Sequence, residues 1–552
     1  MTSKNNLLKN SIYKEILITI FFGSLAFFFI FGFEIFNSFP NAFNQGDYLA
    51  YQTSYFAYLN SKLTFPIFYS NMFFENQFIN LYLADFIPLY LLFLKFLNSA
   101  FNVYLINPFT IWIYLNTLLI FYFSYKIFLL TSKLKAYQNI LGAFLIAILP
   151  LSPMKILNHL GEGSHWVIVC GIYLYFKVEN KNKYIYLFSI FSGLMLWIHF
   201  YLFTFVSALW ACAVLSKKLN LYQLIFSCLI FITIFTSIFL LTFGSIENFI
   251  FSVDNGIKST FNPNWSAESN SFFCSENKDL FLYELLKCYE PYTNKDLESY
   301  SFLGLGIILF SFFILYEFKE YNHLLIKHKF LIFTSVLFLI FSFGNRVKIF
   351  HKQIFEFQFS DLHLFLINIY RAHSRFAYIF YYLFCLFFLY RFFLLSNKKL
   401  TFTLMLFIFS FIQINSLDTE YSSDLFLEFT LDTPEAQVFE AVKSSLKFVD
   451  KRLYIYPPDN CVENYDLYLF AKEFMKNGGK IHASRIRGGQ NFVNCKNIYD
   501  LNENLINFDP YHFITSETTG KIQFEFIKLY KCKSISGFYE ENNYNYCYRL
   551  NY

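Results

Sequence analysis

The sequence predicts a polytopic α-helical membrane protein of about 11 spans by the hydropathy rule, followed by a small extracytoplasmic α/β domain at the C-terminus. Three observations carry this. Of 552 residues, 56% are hydrophobic and 15% charged, whereas soluble domains carry about 25% charge. Apolar runs recur up to residue 415, with short polar turns between them. The net charge is +5, and its cations cluster in those turns, which points to membrane topology rather than to nucleic acid. The composition excludes a soluble enzyme, a disordered chain and a fibre. The 80 Phe and 43 Tyr residues reflect drift toward Phe, Ile, Asn, Lys and Tyr, so no aromatic stripe is read as a cofactor box.

Lys4, Lys9 and Lys14 precede the apolar stretch Ile16 to Phe33. A basic start with an apolar core also describes a secretory signal. No small-x-small cleavage site follows, since the chain reads Ile35-Phe36-Asn37-Ser38-Phe39-Pro40. An uncleaved first span with a cytoplasmic N-terminus is expected. Further apolar segments lie at 81–97, 105–130, 137–154, 165–177, 183–197, 199–216, 221–244, 301–317, 330–343, 376–395 and 400–415. The positive-inside rule places the clusters Lys126/Lys133/Lys135, Lys177/Lys181/Lys183, Lys217/Lys218, Lys319/Lys327/Lys329 and Arg391/Lys398/Lys399 in the cytoplasm.

Parity then requires an odd number of crossings between Phe39 and Lys133. Of the two segments there, 81–97 holds Asp85, Pro88 and Lys95 and is the poorer span. It reads as an interfacial or re-entrant helix on the outer side. The result is a transmembrane domain over 1–415 with outer loops 39–104, 245–300 and 344–375, a linker over 416–436, and an extracytoplasmic domain over 437–552.

Cysteine placement agrees. Cys170, Cys212, Cys228 and Cys385 fall in spans and read as small apolar residues. Cys274, Cys288, Cys461, Cys495, Cys532 and Cys547 all fall outside, where three disulfides are allowed. Proximity along the chain would join Cys274 to Cys288, Cys461 to Cys495 and Cys532 to Cys547; other pairings remain open. In the tail, strands are expected at 452–456, 480–485 and 511–515, with helices at 436–446, 465–475 and 522–529, the second closing at Gly478-Gly479. The alternation gives a small α/β domain. It carries no dinucleotide fingerprint, Walker loop or nucleophile elbow.

The candidate chemistry lies in the outer regions. Asp47 opens Gly46-Asp47-Tyr48-Leu49-Ala50-Tyr51-Gln52. It suits either an N-terminal helix cap or a general base for an acceptor hydroxyl attacking an anomeric carbon. Arg371 and Arg375 are i and i+4, so on a helix they share a face. A guanidinium pair at headgroup level suits a phosphate or diphosphate; snorkelling to bulk lipid is the simpler alternative. Lys155, His159, Glu162, His165 and His199 lie at outer span ends and are candidates to line the same cavity. His159, Glu162 and His165 mimic a metal-ligand set, but Gly161 and Gly163 interrupt the helix such a site needs. No metal site is assigned, and no cofactor is firmly implied; a divalent metal is the less favoured option.

An Asp just past the first span, an outer loop with an interfacial helix, and many spans resemble the GT-C superfamily of integral membrane glycosyltransferases. The resemblance is closest to an uncharacterised bacterial membrane family of GT-C-like organisation. It covers nearly the whole chain through short motifs in order: Gly46-Asp47-x-x-x-Tyr51, Ala84-Asp85-x-x-Pro88-Leu89, His159 to His165-Trp166, His199-x-Tyr201, Phe261-Asn262-Pro263, Tyr300-x-Phe302-Leu303-Gly304, Arg371-x-x-Ser374-Arg375-Phe376 and Pro457-Pro458-x-x-Cys461.

The resemblance implies sugar transfer from a polyprenyl-phosphate-linked donor to an extracytoplasmic glycan or glycolipid, in the bacterial inner membrane. Asp47 would act on the acceptor, and Arg371 and Arg375 would contact the donor phosphate. His165 and His199 are candidates for the same cavity. The first outer loop proper has one Asp, not the Asp-Glu or Asp-Asp pair of some GT-C enzymes. Membrane lipids are expected as partners, and nucleic acid is not. The alternatives are a transporter or flippase of lipid-linked sugars, and a non-catalytic envelope-assembly scaffold.

Overall fold

The structure, a computed structural model, describes residues 2–33, 46–70, 79–83, 87–101, 108–130, 133–216, 219–250, 272–273, 301–316, 326–344, 346–349, 352–356, 370, 372–396, 408, 412 and seven strands of the tail. Its helices are α1 (Thr2–Phe31), α2 (Gly46–Asn60), α3 (Pro88–Phe101), α4 (Pro108–Leu130), α5 (Ala136–Ala147), α6 (Leu151–Asn158), α7 (Trp166–Asn180), α8 (Tyr184–Leu194), α9 (Phe200–Ser216), α10 (Leu221–Phe243), α11 (Leu305–Tyr316), α12 (Lys329–Ser342) and α13 (Tyr378–Ser396). The protein is mostly helical. Among the described residues, five helical stretches are long and apolar enough to cross a membrane: Tyr13–Phe31, Pro108–Leu130, Ala136–Ile156, Leu221–Phe243 and His373–Leu395. The expected apolar segments coincide with helices, except that 400–415 lies almost wholly outside the described residues. Segment 137–154 is divided between α5 and α6 at Ile148 and Pro150, where a proline cannot continue the amide ladder.

The chain divides into two compact units. The first comprises 1–37, 107–238 and 261–425. In it, α1 and α4 run antiparallel. Glu15, midway along α1, pairs with Lys126, late in α4, at 2.7 Å. Further along, Ser24 bonds the Tyr114 hydroxyl at 2.8 Å, and Phe27 meets the Tyr114 ring edge-on. Further contacts extend the Glu15–Lys126 end of the unit. The Gln138 amide, at the start of α5, donates to Phe393 O near the end of α13. Lys327 pairs with Glu179 at the end of α7.

The core is built from close-packed apolar side chains such as Ile113, Ile120, Phe121, Val167, Phe205, Tyr381 and Phe392, all fully buried. Exposed apolar residues on α1 (Leu17, Ile20, Phe21) and α10 (Leu221, Ile225, Leu229, Ile232) are what lipid-facing helices require.

The second unit comprises 38–106, 239–260 and 426–552. Pro88 opens α3, the first-turn position where a missing N–H costs nothing. At 14 residues, α3 is shorter than a span of about 20 residues. Its Lys95 caps the C-terminal end of α2: the ammonium donates to Tyr58 O and Ser61 O, both at 2.6 Å, and to Ser61 Oγ at 3.1 Å. It also sits 4.3 Å over the Tyr58 ring. A cation at a helix C-terminus meets both the unpaired carbonyls and the negative end of the dipole. Burial nonetheless pushes this ammonium down to about 8.

In the tail, β1 (Arg452–Tyr456), β2 (Lys480–His482), β3 (His512–Ser516), β4 (Tyr530–Ser536) and β5 (Asn543–Arg549) form one sheet in the order β4-β5-β3-β1-β2. β1 is parallel to β2 and β3, and β5 is antiparallel to β3 and β4. Strands expected at 452–456, at the start of 480–485 and at 511–515 are present. The terminal hairpin β4–β5 was not expected, and the tail helices lie outside the described residues. Cys532 and Cys547 are register partners in that hairpin. Cys170, Cys212, Cys228 and Cys385 are free thiols; the other six cysteines fall where side chains are outside the described residues.

Candidate functional site

The richest polar cluster of the first unit is built on the turn 159–165, between α6 and α7. Gly163 N donates to His159 O at 2.7 Å, and His165 N to Gly163 O at 2.7 Å. The turn presses against α6 so closely that a Cβ on Gly163 would lie 2.2 Å from Ile156 Cα. Glycine is therefore needed there for close approach. This packing turns Glu162, Ser164 and His165 inward, and all three are fully buried. Lys155, on α6, is also buried.

The partners come from the start of α13. A 3-10 turn, His373–Ala377, leads into it. Arg375 Nη2 pairs with Glu162 Oε2 at 2.8 Å, with side chains 11% and 0% exposed. The Tyr378 hydroxyl donates to Glu162 Oε1 at 2.6 Å. The Tyr382 hydroxyl and His165 Nδ1 are 2.9 Å apart, and the His165 ring also packs on Tyr378. Arg375, Tyr378 and Tyr382 thus form one row at i, i+3 and i+7, the spacing of a helix face, and Glu162 and His165 dock onto it. A carboxylate removed from water needs this compensation by a cation and a hydroxyl.

A second layer surrounds the row. The Arg375 guanidinium stacks 4.8 Å from the Tyr201 ring centre. His199 stacks on the same Tyr201 ring, with ring centres 5.6 Å apart. The Tyr201 hydroxyl accepts from Ala372 N at 2.9 Å, and Tyr370 and Thr204 share a hydroxyl bond at 2.6 Å. Trp112 Nε1 donates to Ser164 Oγ at 2.8 Å, and Asn116 joins Ser152 to Trp166 N. These contacts fix the turn to α4.

The structure therefore brings Glu162, His165, Arg375 and His199 together. His159 caps α6 through its amide, which donates to Lys155 O at 2.7 Å. The helical face expected to join Arg371 and Arg375 falls partly outside the described residues. Ala372 is extended (φ −98°, ψ 95°) and the helical run starts at His373; Arg371 lies outside the described residues. Asp47 is the second residue of α2, in the second unit, and its side chain lies outside the described residues. Among the described residues, no three His, Cys, Asp or Glu side chains gather as a metal-ligand set.

Sequence reasoning missed Tyr201, Tyr378 and Tyr382. The available signal was the row Arg375/Tyr378/Tyr382, three polar-tipped residues at helical spacing in an otherwise apolar segment. The row and the 162–165 turn lie at the end of the first unit opposite Lys126, Gln138, Glu179 and Phe393. Helix α4 shows this directly: Trp112 and Asn116 near its start bond the turn, while Lys126 near its end bonds Glu15.

No curated protein matches the chain. A family model described as a domain of unknown function, DUF6311, matches residues 20–418. The match spans the apolar helices, the turn 159–165 and the Arg375 row, and the chain belongs to the DUF6311 family.

Proposed function

We propose that the protein is a membrane glycosyltransferase of GT-C type, moving a sugar from a polyprenyl-phosphate donor to an extracytoplasmic glycan or glycolipid. The observation that carries this reading is the position of the buried Glu162–Arg375 pair. It lies at the end of the helical unit opposite the Lys126–Glu15 and Lys327–Glu179 pairs. With cationic ends in the cytoplasm, that end faces outward in a bacterial inner membrane. The full reading has about 11 spans by the hydropathy rule, an extracytoplasmic α/β tail and disulfides within it. Ionisable groups at such a depth persist where function requires them.

In this scheme Asp47 accepts the proton of the acceptor hydroxyl as its oxygen attacks the anomeric carbon. The bond from that carbon to the donor phosphate oxygen breaks, and the phosphate leaves with the electron pair. Arg375 and Arg371 neutralise the charge that develops there. Gly46 opens α2, and Asp47 is its second residue. The test is sugar transfer by the purified full chain from a labelled polyprenyl-phosphate sugar. Asp47→Asn lowers turnover by a factor of about 100 or more, the ordinary weight of a general base; wild-type turnover in that variant removes Asp47 from the mechanism.

Burial of Lys155 and Glu162 favours one other reading, a transporter or flippase of lipid-linked sugars using the same cations without bond cleavage. Product analysis separates the two, because a flippase returns the donor intact.

A further inference from the structure

The Glu162–Arg375 pair occupies the guanidinium that the proposed donor phosphate needs. Glu162 Oε2 holds Nη2 at 2.8 Å, Tyr378 anchors the other carboxylate oxygen at 2.6 Å, and Tyr201 covers the guanidinium from one side at 4.8 Å. The turn that presents Glu162 cannot relax toward α6, because Gly163 already meets Ile156 backbone. The carboxylate is therefore held in the place where an anionic ligand of Arg375 would bind.

We propose that Glu162 is a resident counter-ion that competes with a phosphate monoester for Arg375, rather than a substrate-binding residue. This rests on the phosphate-binding part of the reading above and not on its transfer step. The ligand class is a phosphate on a lipid or free in solution. When a phosphate takes the guanidinium, Glu162 keeps its Tyr378 hydrogen bond. Lys155, buried beside Ile156 at the base of the turn, leaves a second cation in the same region. The competition sets affinity: a ligand must replace an interaction already made, so binding is weaker than an unoccupied guanidinium would give. Specificity then favours ligands carrying enough negative charge to displace a carboxylate.

The charge arithmetic gives the test its sign. Glu162→Gln keeps the size and the acceptor for Tyr378 but removes the competing charge. A merely structural Glu162 would give weaker binding when lost; a competing one gives tighter binding.

The experiment measures binding of a C55 polyprenyl monophosphate, of the same polyprenol without phosphate, and of inorganic phosphate to the full chain in detergent. Glu162→Gln is expected to lower Kd for the lipid phosphate about tenfold, the weight of one close charge pair, and to leave polyprenol binding unchanged. Glu162→Asp keeps the buried charge and withdraws it by one methylene; it folds where the neutral variant fails to, and it tightens binding by a smaller factor.

A matching gain for inorganic phosphate assigns the site to phosphate in general, and a gain confined to the lipid assigns it to the headgroup. Unchanged or weaker lipid-phosphate binding in either folded variant overturns the proposal. So does failure of wild type and both variants to bind either phosphate. Phosphate binding without sugar transfer sinks the glycosyltransferase reading and leaves the counter-ion standing.

Discussion

Gly163→Ala puts a methyl group where the structure has backbone. The added carbon would lie 2.2 Å from Ile156 Cα and 2.3 Å from Ile156 N. Neither atom can rotate away, so either α6 or the turn must shift by more than an ångström to restore contact distance. Overpacking of this kind costs about 1–3 kcal/mol and sometimes more, and two backbone contacts place this case at the upper end. The same shift pulls Glu162 from Arg375, which adds the cost of a loosened buried ion pair. Gly171→Ala is the control: its added carbon meets Leu209 Cδ1 at 3.0 Å and Val206 Cγ2 at 3.4 Å, side-chain ends that move at small cost. The assay is thermal inactivation of the detergent-purified full chain, followed by loss of monodispersity. Gly163→Ala should lower the midpoint by several degrees, and Gly171→Ala should change it far less. Equal midpoints for the two variants would refute the claim that the turn is wedged against α6.

Two further predictions follow from single contacts. Tyr378→Phe leaves Glu162 Oε1 without its hydroxyl donor and should cost about 1.5–3 kcal/mol, the range for a hydrogen bond to a charged group; chemical denaturation in mixed micelles measures it, and a cost below about 0.5 kcal/mol, the range of surface substitutions, would contradict the buried geometry. Lys95 binds its proton less tightly when folded, at about 8 against an ordinary 10.5, so unfolding takes up a proton between those values. Stability of the second unit should therefore rise as pH is raised through that window, and Lys95→Met should abolish that slope. An identical slope in both proteins would show that the ammonium is not buried against α2.

The helices were legible because apolar runs are strong, local signals, although among the described residues only five of the expected spans are long and apolar enough to cross a membrane. Segment 81–97 carries Asp85, Pro88 and Lys95, and the chain there forms α3, 14 residues long, a length that α12 shares. Gly161 and Gly163 announced the turn that breaks α6 from α7.

The pairings inside the site were not legible. Glu162 and Tyr378 are separated by 216 positions, and nothing local to either marks the other. Against 43 tyrosines in the chain, the row at 378 and 382 looked like composition. The point where the helical run begins was not legible either: Ala372 is extended and the run starts at His373, and the Tyr201 hydroxyl bond to the Ala372 amide is a tertiary contact that no local pattern marks. The hairpin β4–β5 was a signal overlooked: Asn543–Arg549 reads Asn-Tyr-Asn-Tyr-Cys-Tyr-Arg, the alternation of a half-buried strand.

The glycosyl-transfer account stands or falls on where a donor phosphate binds. A structure of the full chain with a polyprenyl monophosphate should show the phosphate on the Arg375 guanidinium, with the Asp47 carboxylate within reach of the adjoining acceptor space. Phosphate seated on the Lys126 or Lys327 side, with Arg375 still closed on Glu162 and Asp47 remote from the lipid, would contradict it.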